Sequence, residues 1–442
     1  MNNEKIKNPL PLYPYQEDAV NWLWDNFITQ RKRRLLLADV PGLGKTPPAV
    51  VISDKLPIDK IVVITPAIGR KTFEVHYSLF TSLNRRTQII YTGKEKIHDD
   101  TDVVFISIDL ATRDTFKAKI KSFLSNNRSF LILDEAHSIK SSTRKVKRAR
   151  TVLTSFVPVS DYTLFITGTP VMNNIEEIYN MAHCCDPYNF SCKAEFLETY
   201  ALSRESYWGG GTEYYGYNKE NIKQLRQLLK GFMFRRFRKD VANQLPTRRM
   251  NKVYLELPKK AVPKVQMTQE EIDRLQAPPH IATARKELGL NKLPQVFEWL
   301  DEFFIERPNE QVLIGAYHVA VVEELEKYFR AKEMSVAVMA GKTSTAKKDH
   351  YREEFQKGNI QVIVANILSV TTSITLHACN TIVVVEPDWN PATMEQFFSR
   401  VHRTGQKKIT EIFYTLANRS IDTDIIDSLI SKIELLTEVD GR

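Results

Sequence analysis

Gly42, Gly44, Lys45 and Thr46 lie in a turn directly after the apolar run Leu35–Ala38, and Asp134 and Glu135 directly follow the apolar run Phe130–Leu133. A glycine-bearing turn of the first kind lets backbone amides close on phosphate oxygens, with a lysine ammonium on the terminal phosphates and a threonine hydroxyl on Mg²⁺. Asp39 stands where the strict spacing has a glycine, so a plain structural turn is the competing reading. Two adjacent carboxylates at a strand end can hold Mg²⁺ and a water opposite such a turn. Together the two signals read as a nucleoside triphosphatase.

Two further elements extend the set. Thr167-Gly168-Thr169-Pro170 leaves another strand-like run, where a turn could touch the phosphate site. Gln396, and then Arg400 and Arg403 in the run up to Gln406, put two arginines three apart on one face of a helix. Their planar, permanently cationic forks suit a developing phosphoryl charge. A solvated helix face is the commoner meaning of such a pair, but it must be weighed beside Gly44-Lys45-Thr46 and Asp134-Glu135. The four elements make a site divided between two halves of the chain. Cys184, Cys185, Cys192 and Cys379 form no paired zinc pattern, and His183 with Cys184 supplies too few ligands, so reduced, buried thiols are expected.

Short β-rich runs position these residues. In the first half they fall at Leu35–Ala38, Ile61–Thr65, Val103–Ser107, Phe130–Leu133 and Thr163–Thr167, with amphipathic stretches such as Asp114–Asn126 between them. The rhythm resumes at Val312–Ala316, Ser335–Met339, Gln361–Ala365, Thr381–Glu386 and Glu411–Thr415, with helices expected at Val319–Arg330 and Thr345–Gln356. Strand–helix alternation of this kind predicts an α/β fold with parallel sheets flanked by helices. The expected division is a first lobe over 1–186, a helical insertion and linker over 187–294, and a second lobe over 295–442 closed by a helix at Ile421–Leu436. At 442 residues the chain is long enough for several cores, and its charge of +9 favours a polyanionic partner, although many ordinary proteins are as basic. No apolar leader or membrane-length run is evident, which predicts a protein of the cell interior.

These motifs, in this order, resemble superfamily 2 helicases, and within them the SWI/SNF-like DNA-dependent ATPases. Tyr13-Pro14-Tyr15-Gln16 with Trp22-Leu23 is similar to the family's adenine-recognition opening, and Asp39 to Thr46 to its phosphate loop, which itself lacks the early glycine. Ile64-Thr65-Pro66-Ala67 resembles motif Ia, Asp134 to Lys140 motif II, and Thr167 to Pro170 with Asn173-Asn174 motif III. Arg235-Arg236, Lys239-Asp240-Val241 and Leu245-Pro246 resemble a segment peculiar to these enzymes, and Asp388-Trp389-Asn390-Pro391 with Arg400 to Gln406 close the series. A looser likeness, through Gly216, Asn218, Ile222–Leu229, Phe232 to Arg236, Arg285, Gly289 and Lys292, is to the HARP-like annealing helicases, which remodel forked DNA. One departure is that motif V, Ile367–His377, contains no glycine, with Ser373 where one is expected.

The resemblance implies two RecA-like lobes, ATP and Mg²⁺ as cofactors, and DNA as partner. Gln16 would read adenine, with Gly42, Gly44, Lys45 and Thr46 on the phosphates and Thr46 and Asp134 on Mg²⁺. Glu135 would activate water, and Arg400 and Arg403 would act as arginine fingers, Arg403 being the principal one. Expected DNA contacts are Pro66, Arg70, Lys140, Arg144, Arg235, Arg236 and Trp389. Trp208-Gly209-Gly210-Gly211 with Tyr214, Tyr215 and Tyr217 offers surfaces for base stacking, or is a packed insertion. The implied activity is ATP-driven movement on duplex or branched DNA, by fork regression, branch migration or reannealing. Strand separation and an ATP-gated DNA clamp are the alternatives. A monomer is expected, working with replication or recombination proteins, in the cytoplasm of a bacterial or phage-infected cell, or in the nucleus if eukaryotic.

Overall fold

Nearly continuous Val, Ile and Leu runs make sense only where both faces of a strand are covered, as in a parallel sheet between helices. The computed structural model describes residues 9–67, 69–139, 146–171, 175–205, 212–215, 217–237, 240–241, 248–263, 279–370, 374–403, 405–426 and 429. Described residues up to Val241 form one unit and those from Arg248 onward a second.

The first unit is built on a 7-stranded sheet in the order β3-β4-β2-β5-β6-β1-β9. Its strands are β1 (Arg34–Leu37), β2 (Lys60–Thr65), β3 (Thr87–Ile89), β4 (Val103–Ser107), β5 (Ser129–Asp134), β6 (Tyr162–Ile166) and, after the hairpin β7 (Leu202–Glu205) and β8 (Thr212–Tyr215), β9 (Met233–Phe234). Every pairing in the sheet is parallel. Leu35, Leu36 and Leu37 are wholly buried, and each such side chain contributes about 1.5–3 kcal/mol relative to exposure. The helix Asp114–Ser125 packs Phe116, Ile120 and Leu124, one turn apart, into the same core. Trp208 to Gly211 and Gly216 lie outside the described residues, and the described hairpin pairs antiparallel from Leu202↔Tyr215 to Glu205↔Thr212.

The second unit carries a 6-stranded parallel sheet in the order β10-β15-β14-β11-β13-β12. Its strands are β10 (Arg248–Leu255), β11 (Val312–Ala316), β12 (Val336–Met339), β13 (Val362–Asn366), β14 (Thr381–Val384) and β15 (Thr410–Ala417). The α/β class with two parallel-sheet lobes is therefore as expected. The edge strand β10 was not: its first five residues, Arg248 to Lys252, hold a single apolar side chain, Met250, so no long apolar run marks it. Residues 421–426 are helical, and the rest of the expected closing helix falls outside the described residues apart from 429.

The helix Pro279–Asn291 meets this sheet through charged residues. Arg285 stacks on Tyr317 and Trp389 at 4.4 and 5.0 Å and donates to the Pro387 carbonyl at 2.7 Å. A Cβ at Gly289 would collide with the Glu386 carboxylate, so glycine permits that approach. Lys292, fully buried, donates to Asp422 Oδ2 at 2.5 Å and to the Thr415 carbonyl at 2.9 Å.

Candidate nucleotide site

Strand β1 feeds the phosphate turn. Gly42 and Gly44 have φ of +91° and +68°, values that side chains with a Cβ disfavour. Lys45 Nζ folds back on the turn and donates to the Asp39 carbonyl at 2.8 Å and the Val40 carbonyl at 3.5 Å. A helix then begins at Thr46, with Pro47 and Pro48 in its first turn. Proline tolerates that place but removes two amides, so phosphate donors must come from the turn itself. Gln16 Nε2 donates to the Gly44 and Leu43 carbonyls at 3.0 and 3.3 Å, and its Oε1 accepts from the Tyr13 amide at 3.1 Å. The side chain expected on adenine is thus engaged in ordering the phosphate turn.

At the end of β5, Thr65 Oγ1 donates to Asp134 Oδ2 at 2.8 Å. Glu135 has φ of +50°, a strained value for a side-chain residue and of the kind kept at functional positions. His137 Nδ1 lies 3.2 Å from both Glu135 Oε2 and Thr167 Oγ1, and Thr167 Oγ1 accepts from the Thr169 amide at 3.1 Å. Motifs II and III therefore meet through a histidine and a threonine. A Cβ at Gly168 would lie 2.6 Å from Pro41 Cγ, so that glycine lets the turn after β6 press on the phosphate turn.

The electrostatics show what these groups are doing together. Burial, and then the neighbouring Glu135 charge, push Asp134 up to about 6. Loss of solvent lowers Lys45, opposed by Glu135, Asp39 and Asp134. Paired half-buried carboxylates beside a hydroxyl are a hard oxygen donor set, and a divalent cation there would offset their repulsion. Among the described residues no cluster of His, Cys, Asp and Glu forms a cage by itself. Asp134 and Thr46 fit Mg²⁺ held mainly by nucleotide phosphates.

Several expected contacts are corrected by burial. Arg70 donates to the Ala67 carbonyl at 3.0 Å and the Ile90 carbonyl at 2.5 Å and lies over Tyr91, so it braces its own helix start rather than facing DNA. Arg236 turns inward onto Asp39, and Arg235 donates to the Ala38 carbonyl at 3.1 Å beside the phosphate turn. Trp389 is 4% exposed beneath Arg285, because Asp388 to Pro391 form a helix start in which Asn390 Oδ1 accepts from the Ala392 amide at 2.9 Å. Pro66 stays at the surface of a cavity of about 210 Å³ shared with Asp134, Ser138, Asp109 and Arg148. Lys140, Arg144, Asn173, Asn174, Lys239, Leu245, Pro246 and Ser373 lie outside the described residues. Cys192 is exposed and Cys184 and Cys185 half-buried, so of the four cysteines Cys379 is the buried one.

The two arginines of the second unit part company. Arg400, 7% exposed, donates through Nε to the Gln396 carbonyl at 2.8 Å, through Nη1 to the Ile374 carbonyl at 3.3 Å, and through Nη2 to Ser399 Oγ at 3.2 Å. It braces the helix end and is a poor arginine finger. Arg403 is half-buried and donates through Nη1 to Thr375 Oγ1 at 2.5 Å.

Residues 15–280, more than half of the chain, match the SNF2-related domain. The chain belongs to the SNF2-related family. Residues 295–405 match the helicase conserved C-terminal domain. Among its relatives, this SNF2-related chain is 24% identical over 429 residues to the DNA annealing helicase and endonuclease ZRANB3 of Bos taurus, covering 93% of this chain and 39% of the relative. It is 27% identical over 440 residues to the SWI/SNF-related matrix-associated actin-dependent regulator of chromatin subfamily A-like protein 1 of Xenopus laevis, covering 96% and 44%. The chain thus spans about two fifths of the length of these relatives. A Sulfolobus solfataricus SWI2/SNF2 ATPase core in complex with dsDNA aligns over 99% of this chain and 98% of its own, at 20% identity and a TM-score of 0.46.

Proposed function

We propose that this chain is a DNA-dependent ATPase that moves along duplex or branched DNA and remodels it by fork regression, branch migration or strand reannealing. The observation that carries the reading is the gathering of Lys45, Asp134 and Glu135 around one phosphate turn, in a family whose relatives include proteins named as annealing helicases.

In this reading Gly42, Gly44 and Lys45 bind the phosphates of ATP, with Gln16 keeping the turn in shape at its adenine side. Thr46 and Asp134 hold Mg²⁺, which when bound supplies charge neutralisation across the phosphate oxygens. Glu135 orients the attacking water and accepts its proton. Arg403 stabilises the transferring phosphoryl group, and Arg400 keeps the segment that carries it in place. Because the catalytic groups belong to two separately folded units, turnover is coupled to motion of those units and of the DNA they hold. Contact is mainly to phosphates, so DNA affinity falls steeply with salt. Pro66, Lys140 and Arg144 remain the contacts of this proposal, with the chain acting as a monomer beside replication or recombination proteins. The expected setting is the cytoplasm of a bacterial or phage-infected cell, or the nucleus if the source is eukaryotic.

ATP turnover measured with no DNA, single strands, duplex and forks tests the reading, alongside products on forks, four-way junctions and partial duplexes. Stimulation by duplex or fork with regressed or reannealed products is the expected result. Displaced strands from partial duplexes would instead mark a separating helicase, and tight ATP-dependent binding without turnover a clamp.

A further inference from the structure

The departure at Asp39 has an internal partner. Asp39, 2% exposed at the head of the phosphate turn, accepts from Arg236 three times: the backbone amide at 2.9 Å and Nε at 3.2 Å on Oδ1, and Nη2 at 2.5 Å on Oδ2. The same guanidinium donates to the Tyr15 carbonyl and lies over the rings of Phe234 and Tyr15 at 4.6 and 5.3 Å. The backbone follows suit, with Ala38 N donating to the Phe234 carbonyl at 2.7 Å and Val40 N to the Arg236 carbonyl at 3.1 Å. Arg236 therefore joins three pieces that are remote in sequence: the residue before Gln16, the first residue of the phosphate turn, and the strand β9.

We propose that Arg236 is a positioning residue for ATP, which cancels the Asp39 charge beside the phosphates and holds the turn against the start of the adenine-side helix. The inference rests on the reading of this turn as an ATP site. Asp39 is close enough to act on Lys45, whose ammonium sits on the Asp39 carbonyl. With Arg236 gone, a buried carboxylate would stand uncompensated where polyphosphate must bind, and a lone buried charge is strongly unfavourable. The planar fork also matters: it reaches both carboxylate oxygens and a carbonyl at once, which a lysine ammonium cannot do.

The test is titration of the full chain with a fluorescent ATP analogue and Mg²⁺ in the absence of DNA, with thermal unfolding and DNA-stimulated ATP turnover followed in parallel. Arg236→Gln should weaken binding by about ten- to a hundredfold. The double variant Asp39→Asn with Arg236→Gln should recover most of that loss, because the unpaired charge is removed, while Arg236→Lys should not. Unchanged binding in Arg236→Gln overturns the proposal, as does a double variant no better than the single one at equal thermal stability. So does a loss confined to DNA stimulation, which would return Arg236 to DNA contact. Should Arg236→Gln fail to fold, the double variant alone decides: near-normal binding supports the role, and a loss of tenfold or more defeats it. Wild-type protein that binds no analogue, like Lys45→Ala, would instead overturn the ATP reading itself and this inference with it.

Discussion

The first unit's phosphate turn and the second unit's arginine segment are both dense with charge, yet they treat it in opposite ways. Around Lys45 the charges are crowded and mutually perturbed, with Asp134 pushed up to about 6 and Lys45 pulled down. Around Arg400 every guanidinium nitrogen is engaged with a carbonyl or hydroxyl of its own unit. The first arrangement is one that a polyphosphate and a cation would relax; the second is a frame. Residues expected to do similar work from sequence can thus differ in whether ligand or fold determines their geometry.

The largest effect should separate chemistry from binding in the first region. Glu135→Gln is expected to lose about 10³-fold or more in turnover while still binding ATP, by analogy with removal of other single catalytic groups. Single-turnover hydrolysis beside nucleotide titration checks it, and undiminished turnover removes Glu135 as the base. The contrast within the second region is nearly as large. Arg403→Ala should lose about 10³-fold in turnover with unchanged unfolding temperature, whereas Arg400→Ala should lower stability by about 2–4 kcal/mol, through the loss of the donor to the Ile374 carbonyl and of a buried side chain. A thermally normal Arg400→Ala with the same catalytic loss would erase the distinction drawn between them.

Comparable in size is Lys292, where Lys292→Met would strand the buried Asp422 carboxylate and cost about 3–5 kcal/mol. Chemical denaturation should show it with the first unit's nucleotide affinity untouched. The smallest effect is one of pH. Asp134 titrates near 6 when folded against an ordinary value of 3.8, so the folded state holds its proton longer. Its contribution to stability is therefore present at low pH and is lost as pH rises from 3.8 to about 6. Mg²⁺ needs the ionised form, so affinity measured by calorimetry should fall about tenfold per unit below that point. A flat profile would mean that Asp134 does not hold the ion.

Most of the fold was legible because parallel strands covered on both faces must be apolar through their middles, as β2, β4, β5, β11 and β13 are, with polar residues only at their ends. Strand β10 escaped because it pairs on one side only and needs no such run, and β9 because Met233–Phe234 is too short to show a period. Phosphate and carboxylate residues were legible by type and spacing. The fate of the arginines was not: Arg70, Arg236, Arg285 and Arg400 all sit against carbonyls, carboxylates or rings supplied by distant segments. Sequence shows that an arginine is present but not which way its fork points. The one available clue was Asp39, an unexplained acid in a phosphate turn, which required a cationic partner.

Gly168 comes so near Pro41 that an added Cβ would strike the proline ring carbons. Such a contact has no charge to be screened, so brine strong enough to strip a nucleic acid from the surface leaves it intact. Whatever news the nucleotide pocket sends to the loop beyond β6 along this route arrives as a mechanical push. It should therefore be heard equally well in dilute buffer and in concentrated salt.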